Sequence, residues 1–123
     1  MAGQLTYATT RDEAAREPND LERLFVGRAN AGDLDGLVAL YEPAALLVSD
    51  DGLQVTGVAG IRAFLAEHLK GGRQLVPGIQ APALVAGGLA LTASRHGNGT
   101  VSVEVARRQA DGSWLWVIDR FAI

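Results

Sequence analysis

The sequence predicts an α+β fold: three helices in the first half, with a curved antiparallel sheet wrapped around them. Three observations point to it. Apolar residues recur at helical spacing over about 19–31 and 58–70. From about residue 74 the pattern changes to short apolar runs, separated by Gly87-Gly88, "GNG" at 97–99 and Asp111-Gly112, which are hairpin signals. Between the two long helices lie a short helix and two short strands. The predicted order is helix, helix, strand, strand, helix and then a meander of four strands.

Residues 1–17 are polar and weakly periodic, and Pro18 interrupts them. "TRDE" offers a capping box from Thr10 to Glu13, but the stretch reads as a loose arm. Residues 18–123 form one domain, large enough for a single core. Asn19 or Asp20 caps the first helix. Leu21, Leu24, Phe25 and Arg28 share its face, and Gly32 ends it. Asp33 caps a second helix bearing Leu34, Leu37, Val38 and Tyr41, and Pro43 stops it. "AALLVS" reads as a buried strand, "DDG" as a turn and "LQVT" as a second strand. The third helix carries Ile61, Phe64, Leu65, His68 and Leu69 on one stripe, and Gly71-Gly72 closes it. Four strands are expected over about 74–86, 89–96, 100–108 and 114–122, with Pro77 and Pro82 at edge or bulge positions.

Composition narrows the function. The chain is 48% hydrophobic and 20% charged, with a net charge of −3 and no basic run, so nucleic acid is not an expected partner. There is no cysteine, which excludes disulfide and thiolate chemistry. No apolar run approaches the roughly 18 residues of a membrane span, and the N-terminal segment lacks the pattern of a signal peptide. A cytoplasmic location is the expectation. His68 and His96 are far apart and have no ligand spacing around them, so neither a metal nor a cofactor is expected. "GNGTVS" sits inside a hairpin rather than opening a helix, so it is no phosphate cradle.

Three strings extend the reading. "NAGDLDGLVALYEP" resembles the junction of the first two helices in the cystatin-like α+β cone superfamily, which includes ketosteroid isomerase, nuclear transport factor 2 and the SnoaL-like polyketide cyclases. "VTGVAGIRAFL" resembles its third helix, and "VARRQADGSWLWVID" its closing hairpin, especially that of small SnoaL-like proteins. The likeness covers about residues 19–123 and implies a cone with one ligand cavity. The isomerase groups carry over unevenly. The proton-shuttling Asp falls on Ser49 and the oxyanion-stabilising Tyr on Phe25, so both functional groups are missing. A second pocket Tyr matches Tyr41, a third falls on Leu65, and the protonated Asp falls on Glu104.

Strand alternation then selects a cavity face. If Asp111-Gly112 is a two-residue turn, Ala110 pairs with Ser113 and Glu104 lies opposite Asp119. Ser102 and Ala106 share the face of Glu104, and Val117 and Phe121 that of Asp119. Val101, Val103, Val105, Trp114, Trp116 and Ile118 point outward. Two carboxyls this close in an apolar pocket do not both ionise comfortably, and such a pair can work as acid and base. The competing reading is structural: Asp119 bonds a backbone amide or Arg120, and Glu104 pairs with Arg95 or Arg62.

Glu104, Asp119 and Tyr41 are the candidate catalytic residues. Candidate ligand contacts are Phe25, Ser49, Leu65, His68, Thr92, Ser94, Ser102, Val117 and Phe121. His96 reads as solvent-exposed. The expected ligand is a small hydrophobic molecule, a polyketide-like or cyclic carbonyl compound. Cofactor-independent isomerisation, cyclisation or hydration is the matching chemistry, and a non-catalytic binding or assembly module is the rival. The apolar outer face predicts a homodimer.

Overall fold

The computed structural model describes residues 13–122. Three helices, α1 (Asp20–Asn30), α2 (Leu34–Val38) and α3 (Gly57–His68), precede most of a seven-stranded sheet. Its strands are β1 (Tyr41–Val48), β2 (Gln54–Thr56), β3 (Ile79–Gln80), β4 (Leu84–Ala86), β5 (Leu89–Arg95), β6 (Val101–Arg108) and β7 (Trp114–Arg120). The sheet order is β2-β1-β7-β6-β5-β3, and β4 pairs with β5 beyond the irregular residues 81–83. The α+β class and the helix order agree with the sequence reading.

Three details differ. The sheet is mixed, because β1 runs parallel to β7 while all other pairs are antiparallel. The strand expected over 74–86 is two short pieces, since Pro82 has no N–H to continue the ladder. Tyr41 opens β1 rather than closing the second helix. Pro43 disfavours helix at the residue before it, and it falls where the β1–β7 register shifts, between Tyr41 and Leu46.

The helices bury the face their spacing selects. Leu21, Leu24, Phe25 and Arg28 of α1 and Ile61 and Leu65 of α3 are buried, while Phe64 is half-buried. Asp33 caps α2 by accepting from Gly36 N at 3.0 Å. Gly32 adopts φ +72°, the left-handed value that ends α1 cleanly. Arg28 donates to Gly36 O at 2.8 Å and to Glu13 O at 2.6 Å, tying α1 to α2 and to the segment before it. Of the arm expected over 1–17, residues 1–12 lie outside the described residues, and Thr10 with them. Residues 13–17 are docked: Ala15 is buried and accepts from Trp114 N at 3.0 Å, and Glu13 pairs with Arg23 at 2.6 Å.

The hairpin joining β6 and β7 departs most from expectation. Gln109 N donates to Ser113 O at 2.7 Å and Gly112 N to Gln109 O at 2.9 Å, closing a three-residue loop with Gly112 at φ +85°. Asp111 holds it by accepting from Ser113 N at 2.9 Å and from Ser113 Oγ at 2.6 Å. Pairing therefore runs Arg108 with Trp114 and Ala106 with Trp116. A bulge then leaves Val117 without a partner, and the register resumes with Val105 opposite Ile118 and Glu104 opposite Asp119. Trp114 and Trp116 consequently point into the core, each 3% exposed, and not outward as alternation from a two-residue turn required. Trp116 packs at 5.1 Å from the Tyr41 ring and 5.8 Å from Phe25. The other expected outward residues keep that face: Val101 and Ile118 are exposed, and Val103 and Val105 half-buried.

Candidate functional site

Thr92, Glu104, Asp119 and Leu47 form one row across β5, β6, β7 and β1. Two carboxyls thus stand side by side on the concave face, Glu104 at 4% and Asp119 at 3% exposure. Thr92 Oγ1 donates to Glu104 Oε1 at 2.7 Å. Tyr41 donates to Asp119 Oδ2 at 2.6 Å. Neither expected arginine has reached Glu104: Arg62 pairs with Asp35 at 2.7 Å, and Arg95 is exposed. Among the described residues the recorded ion pairs include neither carboxylate.

Burial without a cation sets the electrostatics. Desolvation pushes Glu104 up to about 7, against smaller opposing bonds from Thr92 and Ser102. Desolvation and then the Glu104 charge push Asp119 up to about 8. Burial and the Asp119 charge raise the Tyr41 hydroxyl well above its usual value, so it remains a donor. The pair holds a shared proton around neutral pH, with Asp119 the stronger holder.

Both carboxyls line a cavity of about 220 Å³. Its apolar walls include Phe25, Val26, Trp116 and Phe121, and its polar lining includes Glu22, Arg73, His96, Asn98 and Ser102. Of the ligand contacts expected from sequence, Phe25, Ser102 and Phe121 are therefore on the cavity wall, and the others are elsewhere. Ser49 lies in the turn after β1, bonded to Asp51 and accepting from Leu53 N at 3.2 Å. Leu65 is fully buried core beneath α3. His68 is exposed, stacked on Phe64 and edge-on to Phe121 at 4.9 Å. Thr92 stands behind Glu104 as its hydrogen-bond partner, and Tyr41 stands behind Asp119. Ser94 is buried opposite Ser102, away from the lining, and its Oγ has no partner among the described residues. Val117 is the bulge residue and turns away.

Three lining residues were missed. Glu22 is one helical turn before Phe25, a spacing that places it on the same face. Its Oε2 accepts from Gly78 N at 3.2 Å. His96 shares strand parity with Thr92 and Ser94, so alternation puts it inside. It is half-buried, with Nε2 3.0 Å from Ser102 Oγ, rather than solvent-exposed. Trp116 had no usable sequence signal, because the three-residue turn and the bulge decide its face. Its Nε1 is buried without a partner among the described residues. Among those residues no group of His, Asp and Glu has the arrangement of a metal site, and no helix is long and apolar enough to cross a membrane.

No protein-family model and no curated protein matches the sequence. Solved structures do match its fold. A nuclear transport factor 2-like protein with a cystatin-like fold from Novosphingobium aromaticivorans superposes with a TM-score of 0.59 at 20% identity, over 97% of this chain and 84% of that one. A SnoaL-like protein of unknown function from Burkholderia thailandensis gives 0.58 at 17% identity, over 85% and 94%. A provisionally named ketosteroid isomerase from Shewanella frigidimarina gives 0.66 at 12% identity, over 84% and 92%. These are the families the sequence motifs resemble, and the chain has their cystatin-like fold.

Proposed function

We propose that the cavity binds a small, largely apolar carbonyl compound and that the Glu104–Asp119 pair moves a proton on it. The observation behind this reading is the pair itself: two buried carboxyls without a cation, on the floor of an apolar cavity. Tyr41 occupies Oδ2 of Asp119, leaving Oδ1 to carry the proton and donate it to a carbonyl oxygen. Thr92 occupies Oε1 of Glu104, leaving Oε2 to take a proton from the adjacent carbon. The enol so formed is isomerised when Glu104 returns the proton to another carbon, or cyclised when the enol carbon attacks a second carbonyl.

A non-catalytic binding module is the second reading. It is favoured by Phe25, which puts a bare ring where the isomerases have a hydroxyl, and by Ser49, whose hydroxyl is spent in a turn. One experiment separates the two. Deuterium incorporation α to the carbonyl of cyclohexenone and cyclic 1,3-diketones is followed by NMR, alongside quenching of tryptophan fluorescence. Exchange accelerated by the protein and lost in Glu104→Gln supports catalysis. Quenching without exchange supports the binding module. Neither, across the panel, overturns both.

The partner of the outer sheet face is proposed to be a second copy of the chain. Leu89, Leu91, Val101 and Ile118 are exposed there, and the three helices lie against the other face. A two-fold contact places the same apolar residues against one another. The two tryptophans play no part, because both are inside.

A further inference from the structure

We propose that His96 and Ser102 form a proton relay connecting Glu104 to solvent at the cavity mouth, with His96 as its outer station. The inference rests on the acid–base reading of Glu104 for its purpose, but the relay itself exists in the free protein.

Glu104 is 4% exposed, so a proton it gains has no direct path to water. Ser102 precedes it by two residues on the same strand face, is itself buried, and stabilises the carboxylate through its hydroxyl. His96 Nε2 lies 3.0 Å from the Ser102 oxygen on its other side. All three residues line the cavity, and His96 is the one beside the Gly97–Asn98 turn and half-open to water.

The slot for the ring is built by what is absent. A Cβ on Gly78 would lie 2.8 Å from Arg95 O, 3.0 Å from His96 Nδ1 and 3.2 Å from Cε1. Only glycine lets the ring sit where it does, and Gly78 is held there by its bond to Glu22. The charged groups around the relay are Glu22 on α1, Arg73 at the mouth, Arg95 at the end of β5 and Asp119 beyond Glu104 on β7.

The transfer balances. Protonated Glu104 donates to Ser102 Oγ as Ser102 passes its own hydroxyl proton to Nε2 of neutral, Nδ1-protonated His96. The imidazolium then releases its Nδ1 proton to water. Glu104 is left ionised and accepting from Ser102, which accepts from His96 Nε2–H, and one proton has gone to solvent. Reversal reprotonates Glu104.

The test is a pH titration of the free full-length chain by NMR, following the His96 ring nitrogens and the Glu104 side-chain carbon, with Ser102→Ala, Ser102→Thr and Glu104→Gln. The His96 curve is expected to show a second inflection at the midpoint of Glu104. That inflection is lost in Glu104→Gln and in Ser102→Ala and retained in Ser102→Thr, which keeps the hydroxyl. A His96 curve unchanged by Ser102→Ala overturns the relay, as does a wild-type curve without the second inflection. If Ser102→Ala fails to fold, loss in Glu104→Gln together with retention in Ser102→Thr supports the relay, and any other pattern overturns it. Because no ligand is present, failure here is distinct from failure of the carbonyl reading, which the deuterium experiment judges.

Discussion

Glu104 and Asp119 face each other because two irregularities of one hairpin cancel. The three-residue loop shifts the pairing of β6 and β7 by one residue, and the bulge at Val117 shifts it back. Between the two, Trp114 and Trp116 are turned into the core; beyond the bulge, Asp119 is turned in as well. A straight strand places alternate residues on one face and so cannot point both 116 and 119 inward. The bulge gives the cavity an aromatic wall and an acidic floor from the same strand.

The carboxyl pair predicts an unusual pH dependence. Glu104 rises from 4.5 to about 7 and Asp119 from 3.8 to about 8 on folding. The folded chain therefore holds protons that the unfolded chain has released. These groups favour folding fully below about pH 4, and the advantage is lost as pH rises to about 8, by on the order of a few kcal/mol. Urea denaturation at pH 5 and pH 8.5 measures the difference. Glu104→Gln with Asp119→Asn should flatten it, and an unchanged slope in the double variant would refute the assignment.

Trp116→Ala should destabilise the chain by about 3–5 kcal/mol, as expected for a large buried aromatic residue. Phe64→Ala should cost less, because Phe64 is half-buried and packs chiefly on Phe121 and His68. Denaturation of the two variants gives the order. A larger loss at Phe64 would reverse their places in the core.

Asp33→Ala removes the acceptor for Gly36 N at the start of a helix of only five residues. A loss of about 0.5–2 kcal/mol is expected, read as a lower denaturation midpoint with unchanged slope.

If the outer sheet face is a dimer contact, the unmodified chain is a dimer by light scattering at micromolar concentration. Ile118→Arg should then give a folded monomer, because Ile118 is 42% exposed and its charged replacement can stay in water. A monomeric unmodified chain would remove the dimer and leave that apolar face without an occupant.

The sequence by itself determined the order of elements, the buried faces of α1 and α3, and the confrontation of Glu104 with Asp119. Helical faces are legible because their period is set by the local backbone, and apolar residues at that spacing are selected by burial alone. The carboxyl pair was reached through a two-residue turn that does not exist; the bulge restored the same register farther along. What only the tertiary structure decided is everything that depends on counting residues across a pairing. Tyr41 became a strand residue because β1 finds β7 as a parallel neighbour, a contact 75 residues away in sequence at Tyr41 and Trp116. The tryptophans went inward because a core bounded by Phe25 and Tyr41 has room for an indole, and one extra residue in the loop was enough to turn that face. Strand parity is an exact period of two, so a single turn or bulge residue reverses it. Turn type and bulge position are settled by packing between segments far apart in the chain, and no local pattern encodes that.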